Sequence, residues 1–404
     1  MHLFIIHQFP DLDTFAPVIY KLDSKVKGMA NILSVYPVQD FRKYGLVKFL
    51  LKRKIKYYSL SDINLKSRFL ILLLKVLFLL PKFILTKLNI LWHPLYHYVN
   101  LFTSNDICRF IEKEKIKSIT IDNALPLRFQ KIFYNSCLRM NIKLIKCKVG
   151  INVRKNVKIE KSELECCNKY ILSENLIPDP EDINLKKKIV RIDSARFSLE
   201  WLDILEEINH LKLESYKPYS PGKDKLKIVI FSRPHIILGE WKKIEEKIKS
   251  LDNVEVKLKI KPRGDLSPLH SSRHFVIQST SSELINWADL IVSHISSVLI
   301  EAFIKKKTLF FLDYITKDKH KTAAWYYYKM ESKKESYHLD DYSFFVKINS
   351  LDHLIREITL FSKNIQNLRE NKLKDQKKFL KNILGNQYDN KGLLDKYANF
   401  YINL

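Results

Sequence analysis

Short apolar runs alternate with helix-length amphipathic stretches along most of this chain, and that alternation restricts its fold more than any other feature. Apolar runs of about four to eight residues are strand-length, whereas apolar residues recurring every three or four positions mark a helix with one buried face. Strands spaced by helices pair in parallel, and the helices cover both faces of the sheet. In the first half, Leu3–Ile6, Ser118–Asp122, Lys143–Cys147 and Lys169–Ser173 read as strands, and Leu12–Leu22 and Arg128–Met140 as helices. In the second half, Lys227–Phe231, Val254–Ile260, His274–Gln278, Asp289–Ser293 and Thr308–Asp313 read as strands, with helices over Glu240–Leu251 and Ser296–Lys305. The expected fold class is α/β, with two doubly wound, Rossmann-like domains facing a cleft. Pro178 and Pro180 mark one break, and Pro218, Pro221 and Gly222 another, around an amphipathic helix over Phe197–Leu213. Residues 178–222 therefore read as the connection between a domain over 1–177 and one over 223–380, with a closing helix over 381–404.

Composition removes several function classes. The 404 residues include only 8 glycines, of which the closest pair is Gly385 and Gly392, so neither G-x-G-x-x-G nor G-x-x-x-x-G-K exists. Glycine-fingerprint dehydrogenases and P-loop NTPases are thereby excluded. The 12 histidines never form H-E-x-x-H, and the 5 cysteines include no C-x-x-C, so neither a metal nor a bound cofactor is expected. An odd cysteine count argues for a reduced, cytoplasmic setting. Met1–Ile6 is apolar, but Asp11 and Asp13 follow at once, so this segment reads as a first buried strand rather than a signal peptide.

Lys and Arg number 70 against 44 Asp and Glu, a net charge of +26. Such an excess suits phosphorylated substrates, an anionic membrane surface or simply a solvated lysine-rich exterior. No RNA-recognition, zinc-finger or KH signature accompanies it, so nucleic acid is not an expected partner. Within an insert over 66–100, Phe69–Leu80 is apolar except for Lys75, and Pro81, Lys82 and Trp92 follow. A spanning helix needs about 20 apolar residues, and a central Lys costs about 2.5–3.5 kcal/mol. A core helix, an interfacial helix and a true span all remain open for this run; the net charge favours the interfacial one.

Two patterns can carry chemistry. Ala288-Asp289 opens a strand that ends in the polar turn Ser293-His294-Ile295-Ser296-Ser297, followed by Val298-Leu299-Ile300-Glu301. Ser296 and Ser297 at a helix start suit an anion, and Glu301, one turn deeper, can accept from a ribose diol; the plainer reading is a helix cap with a solvated glutamate. Lys259-Ile260-Lys261-Pro262-Arg263 ends another strand in a proline-fixed turn, where Lys261 and Arg263 can neutralise a diphosphate, or merely form an exposed basic turn. Arg233, in Ser232-Arg233-Pro234-His235, faces the same crevice.

The second half resembles the nucleotide-binding domain of GT-B-type glycosyltransferases for bacterial surface polysaccharides. It is similar to the related CDP-glycerol glycerophosphotransferases and CMP-sugar (Kdo and sialic acid) transferases. The resemblance lies in the Ser296-Ser297 helix start and the Lys261-Pro262-Arg263 turn, where Lys261 stands in place of the family's His. Phe9-Pro10-Asp11-Leu12-Asp13, Val149-Gly150-Ile151, Asp193-Ser194-Ala195-Arg196-Phe197 with Trp201, and Leu393-Leu394-Asp395-Lys396-Tyr397 extend it less specifically. It implies an acceptor-side first domain and a donor-binding second domain holding Arg233, Lys261, Pro262, Arg263, Ser296, Ser297 and Glu301. Asp11, Asp13 and Asp122 are the candidate general bases; Asp13 can equally cap a helix and Asp122 order a turn. Arg196 is an inter-domain or substrate contact. The implied activity is metal-independent transfer from a nucleotide-sugar donor to a glycan or lipid-linked glycan, in capsule, O-antigen or lipooligosaccharide synthesis. The enzyme would sit on the inner face of the cell membrane. Glycerol-phosphate transfer, or a non-catalytic membrane- or polymer-binding role, are the alternatives.

Overall fold

The computed structural model describes residues 1–35, 41–64, 69, 102–148, 158–173, 177–210, 225–232, 238–259, 281–294, 296, 298–312, 341–363, 373–385 and 392–404. Two sheets organise them, and every strand pairing is parallel. The first contains β1 (His2–Ile6), β2 (Ala30–Ser34), β3 (Tyr57–Ser59), β4 (Ser118–Asp122), β5 (Lys143–Cys147), β6 (Lys169–Leu172) and β7 (Ile189–Arg191), in the order β3-β2-β1-β4-β5-β6-β7. The second contains β8 (Leu226–Phe231), β9 (Val254–Lys259), β10 (Leu290–Ser293), β11 (Thr308–Leu312) and β12 (Val346–Ile348), in the order β12-β11-β10-β8-β9. The expected α/β class of doubly wound parallel sheets is therefore the observed one. Strand order reverses between β1 and β4 in the first sheet and between β8 and β10 in the second. These are the points where open parallel sheets leave a crevice beyond their carboxyl ends.

The helices of the first sheet are α1 (Phe9–Lys25), α2 (Gly45–Lys52), α3 (Ser104–Lys113), α4 (Leu127–Arg139), α5 (Lys161–Glu165) and α6 (Ile183–Lys186). β1, β2 and β4 are buried at every position, as expected for parallel strands covered on both faces. The sequence spacing starts the first helix at Leu12, with Asp13 or Thr14 as its cap; the helix instead begins at Phe9. Its N-cap is Gln8, and the Asp11 carboxylate accepts the backbone N–H groups of His7 at 2.7 Å and Gln8 at 2.9 Å. Asp13 thus lies inside the first turns, and its side chain is released from capping. The short strands β3, β7 and β12 have three residues each, too few to show a period in the sequence.

The connection runs through α7 (Leu199–His210), and the second sheet carries α8 (Leu238–Lys249), α9 (Ser281–Trp287), α10 (Val298–Ile304) and α11 (Leu351–Lys363). Phe197 packs into the core around Phe303 and Phe311, whereas Ala195 and Trp201 pack into the core around Phe4 and Phe15. The chain therefore changes from one core to the other within a few residues. Two terminal helices repeat that division. In α12 (Leu373–Leu384), Phe379, Leu380 and Ile383 join the second core. In α13 (Leu393–Ile402), Leu394, Tyr397 and Tyr401 join the first. Tyr401 Oη lies 2.9 Å from Thr120 Oγ1 on β4, and Tyr397 Oη donates to the Asp193 carbonyl at 3.0 Å. Among the described residues no helix is long and apolar enough to cross a membrane. The 66–100 insert, apart from the exposed Phe69, the strand expected over 274–278, and Val149-Gly150-Ile151 lie outside the described residues.

Candidate functional site

The first sheet builds a carboxylate pair at its switch point. Asp122 ends β4 and lies level with Cys147 of β5, while Asp11 enters from α1 across the end of β1. Both are enclosed, with 0% and 1% of their surfaces exposed. Gln8 Nε2 donates to Asp122 Oδ2 at 3.2 Å, so a single residue ties the loop after β1 to the end of β4. Burial first, and then the charge and hydrogen-bonding demand of Asp122, push Asp11 well above the ordinary carboxylate range, despite the two N–H donors that favour its charged form. Two buried carboxyl groups in contact cannot both ionise cheaply, so the pair favours keeping a proton between them. Burial, followed by the neighbouring Asp122 and Asp11, also raises the Cys147 thiol far above its usual value, which keeps it protonated and inert.

Asp13 has a different setting. Its side chain is 45% exposed and forms an ion pair with Arg196, whose Nη2 lies 3.4 Å from Asp13 Oδ2. Arg196 itself stacks over Phe197, at 5.1 Å from the ring centre, at the position where the chain passes between the two cores. Of the three candidate bases, Asp11 and Asp122 are brought together in one enclosed pair, and Asp13 is brought to Arg196.

The second sheet presents cations instead. Ser293, Phe231 and Lys259 are register partners in turn, so the carboxyl ends of β10, β8 and β9 form one level row. With about 4.8 Å between neighbouring strands, Ser293 and Lys259 are about 10 Å apart along that edge. The chain leaves all three strands on the same side. Lys259 is half-buried; burial pushes its ammonium down to about 8, opposed by the fields of Asp13, Glu283 and Glu301. A carboxylate of the first sheet's α1 and two of the second unit thus act on one lysine.

Ser296 is half-buried, and its hydroxyl accepts the Val298 N–H at 3.4 Å, the role of a modest cap. The helix after it is shorter than the sequence suggests, Val298–Ile304 rather than Ser296–Lys305. Glu301 is not solvated: it is 5% exposed, its Oε1 accepts no hydrogen bond among the described residues, and Lys305 Nζ stands 3.8 Å away. Lys305 is held elsewhere, by Asn286 at 2.7 Å, Ser282 at 3.1 Å and Glu206 of α7 at 3.2 Å. Arg233, Lys261, Pro262, Arg263 and Ser297 lie outside the described residues. Among the described residues no group of three or more His, Cys, Asp and Glu is arranged to hold a metal.

Reasoning from sequence missed Gln8 and the centrality of Lys259. Gln8 had a signal, since Gln-x-x-Asp before an apolar helix has the spacing of a capping box. Lys259 had none, because its importance comes from carboxylates distant in the chain. A third unexpected residue is Lys146 on β5, fully buried, with Nζ donating to the Glu163 carbonyl at 2.7 Å. Burial holds its ammonium below the usual lysine range.

Two parallel sheets with crevices at their carboxyl ends define a GT-B-type, Rossmann-like architecture. Among solved structures, the chain is similar to the UDP-GlcNAc 2-epimerase of Neisseria meningitidis bound to UDP-GlcNAc, with TM-score 0.52, 13% identity and full coverage of both chains. It is also similar to the wall teichoic acid polymerase TagF, with TM-score 0.53 and 11% identity, covering 100% of this chain and 88% of that one. The Methanocaldococcus jannaschii UDP-GlcNAc 2-epimerase matches with TM-score 0.51 and 12% identity, over 93% of this chain and 98% of that one. No family model matches the chain, and no curated protein matches it in sequence. At such identities the likeness is one of fold.

Proposed function

We propose that this chain is a metal-independent glycosyltransferase, moving a sugar from a nucleotide donor to a surface-glycan acceptor. One observation carries the reading: a half-exposed carboxylate of the first unit, Asp13, lies close enough to the cationic strand end of the second, Lys259, for its field to act on that lysine. Asp13 takes the proton of the acceptor hydroxyl, the freed oxygen attacks the anomeric carbon, and the bond to the nucleotide phosphate breaks. Lys259, with Lys261 and Arg263 just beyond it, neutralises the departing phosphate. Glu301 offers Oε1 to a ribose hydroxyl, and Ser296 and Ser297 donate to phosphate oxygens. Arg196 orients Asp13. Asp11 and Asp122, enclosed and sharing a proton, hold the α1 start rather than abstract protons. The fold shared with enzymes whose structures were determined with UDP-GlcNAc supports the donor class. The net charge of +26 supports work at an anionic inner-membrane face.

Calorimetric titration with CMP-, CDP- and UDP-activated donors tests this reading. One donor should bind, Lys259→Met should weaken it about tenfold, and Asp13→Asn should abolish transfer while sparing donor binding. Failure of every donor to bind would leave a non-catalytic binding protein. Epimerisation of UDP-GlcNAc without any acceptor would replace transfer with isomerisation. A second reading, glycerol-phosphate transfer, is favoured by the likeness to TagF along the whole chain. Product mass separates the two, since only that reaction adds phosphorus to the acceptor.

A further inference from the structure

The end of the first sheet opposite its crevice is lined with cations. Every strand after β1 is entered there from a helix end, through residues 24–29, 52–56, 112–117, 138–143, 165–169 and 186–188, all of which are described. These six stretches hold fifteen Lys and Arg against three Glu. In the strand order β3-β2-β1-β4-β5-β6-β7, with about 4.8 Å between neighbours, they form a row about 29 Å long.

Most of this charge has no carboxylate partner. Asp23, next to the row, is buried and held by Lys27 at 2.9 Å and Arg53 at 3.7 Å. Glu114 is taken by the Tyr58 hydroxyl and by Lys56 at 3.8 Å, which leaves Glu112 and Glu165. Ahead of β3, Lys52 and Lys54 are exposed, and their ammonium groups form no hydrogen bond or ion pair. The same holds for Lys113, Lys115 and Lys117 ahead of β4, for Lys143 at the start of β5 and for Lys187 ahead of β7. The helix dipole accounts for Lys113, in the last turn of α3, but not for Lys117 or Lys143, which stand at strand starts. Lys54 and Lys115 occupy left-handed backbone, at φ 69° and 51°, where glycine is the residue of least strain.

The row's other side chains indicate what it meets. Val26, between Lys25 and Lys27, and Leu138, beside Arg139, are 41% and 54% exposed. No aromatic residue, on which the bases of a single strand would stack, occurs in the six stretches. Thirteen of the fifteen cations are Lys, compact point charges that suit mobile head groups better than one fixed bidentate acceptor. We infer that this edge of the first unit docks on an anionic bilayer, with its lysines at the lipid phosphates and Val26 and Leu138 at the head-group boundary. The strand-end crevice of the same sheet then opens away from the bilayer. The inference rests on the transferase reading for work at a membrane face, but the docking itself needs no transfer.

Co-sedimentation of the full chain with phosphatidylcholine vesicles, with and without phosphatidylglycerol, tests the docking. Binding is expected only with phosphatidylglycerol, and it should weaken as salt rises. Lys52→Gln, Lys117→Gln, Lys143→Gln and Lys187→Gln together should weaken it at least about a hundredfold, with an unchanged melting temperature. Lys374→Gln, Lys377→Gln, Lys378→Gln and Lys381→Gln, on the exposed face of α12, change the net charge equally and should weaken it less than about threefold. Leu138→Asp should cost about tenfold. Equal losses in the two quadruple variants, or equal binding to vesicles without phosphatidylglycerol, would overturn the inference. A chain that binds polyuridylate but no vesicle would assign the edge to nucleic acid instead. Donor titration of the Lys52/Lys117/Lys143/Lys187 variant keeps this outcome apart from the transferase reading. Its donor affinity should match the parent's, and a parent chain that binds no donor would discredit transfer while leaving the docking intact.

Discussion

The two strand-end crevices have the same topology and opposite chemistry. At the β1/β4 reversal the first sheet encloses two carboxyl groups, Asp11 and Asp122, with at most 1% of either residue exposed. One strand beyond the β8/β10 reversal, at the end of β9, the second sheet places a lysine, Lys259, in the field of three carboxylates. Topology therefore supplies the place, and the side chains at the strand ends decide whether it is a lock or a receptor. Asp13 shows how near the two outcomes lie. Two residues from Asp11 on the same helix, it points outward to Arg196 and the second unit instead of inward.

The sharpest way to break this contrast is Asp11→Ala. It strips two backbone N–H groups of their acceptor inside a closed core and removes one of the groups that face Asp122, so urea unfolding should show a loss of about 2–4 kcal/mol. A loss below about 1 kcal/mol would mean that the first crevice is open, like the second. Lys259→Met should cost little stability but about tenfold in donor affinity, read by calorimetry. The same lysine sharpens the contrast through pH. Lys259 is held at about 8, so it carries its charge below that pH and loses it above, and donor affinity should fall as pH rises through 8. Lys259→Arg should remove that fall.

Asp11→Asn is a gentler probe. Its amide mimics the protonated acid, donating to Asp122 while still accepting from His7 and Gln8. Because the folded Asp11 binds its proton more tightly than an unfolded aspartate, the parent chain loses stability relative to this variant as pH rises above about 4, through the raised folded value. Parallel melting curves from pH 4 to pH 8 check the sign, and curves that stay superimposed would show that no proton is shared. Smallest of all, Arg196→Ala should change stability by less than about 1 kcal/mol, since its partner is nearly half exposed, while lowering the transfer rate.

Much of the fold was legible before any coordinate. β4, β5 and the runs behind β8 and β10 stand out as buried stretches bounded by turns, because a parallel strand covered on both faces must be apolar nearly throughout, whereas the edge strand β9 shows as an alternation of Val and Leu with Glu and Lys. The helix starts were less legible. Asp13 fits the capping preference better than Gln8 does, and only the packing of Asp11 against Asp122 selects Gln8. Glu301 illustrates the same limit. Spacing places it one turn below Ser297, but its burial beside Lys305, which is itself held by Glu206 of the connecting helix, depends on a contact between distant parts of the chain.

What the amino-acid order determined alone is the α/β class, most strand positions, the absence of glycine-built phosphate loops and the polar strand ends. These follow from local periodicity and composition, which act over a few residues. Tertiary structure alone decided which aspartate is locked and which is presented, and that Lys259 is the point where fields from both units meet. Those outcomes depend on burial and on charge–charge distances of a few ångströms between residues far apart in the chain, quantities that no local pattern contains.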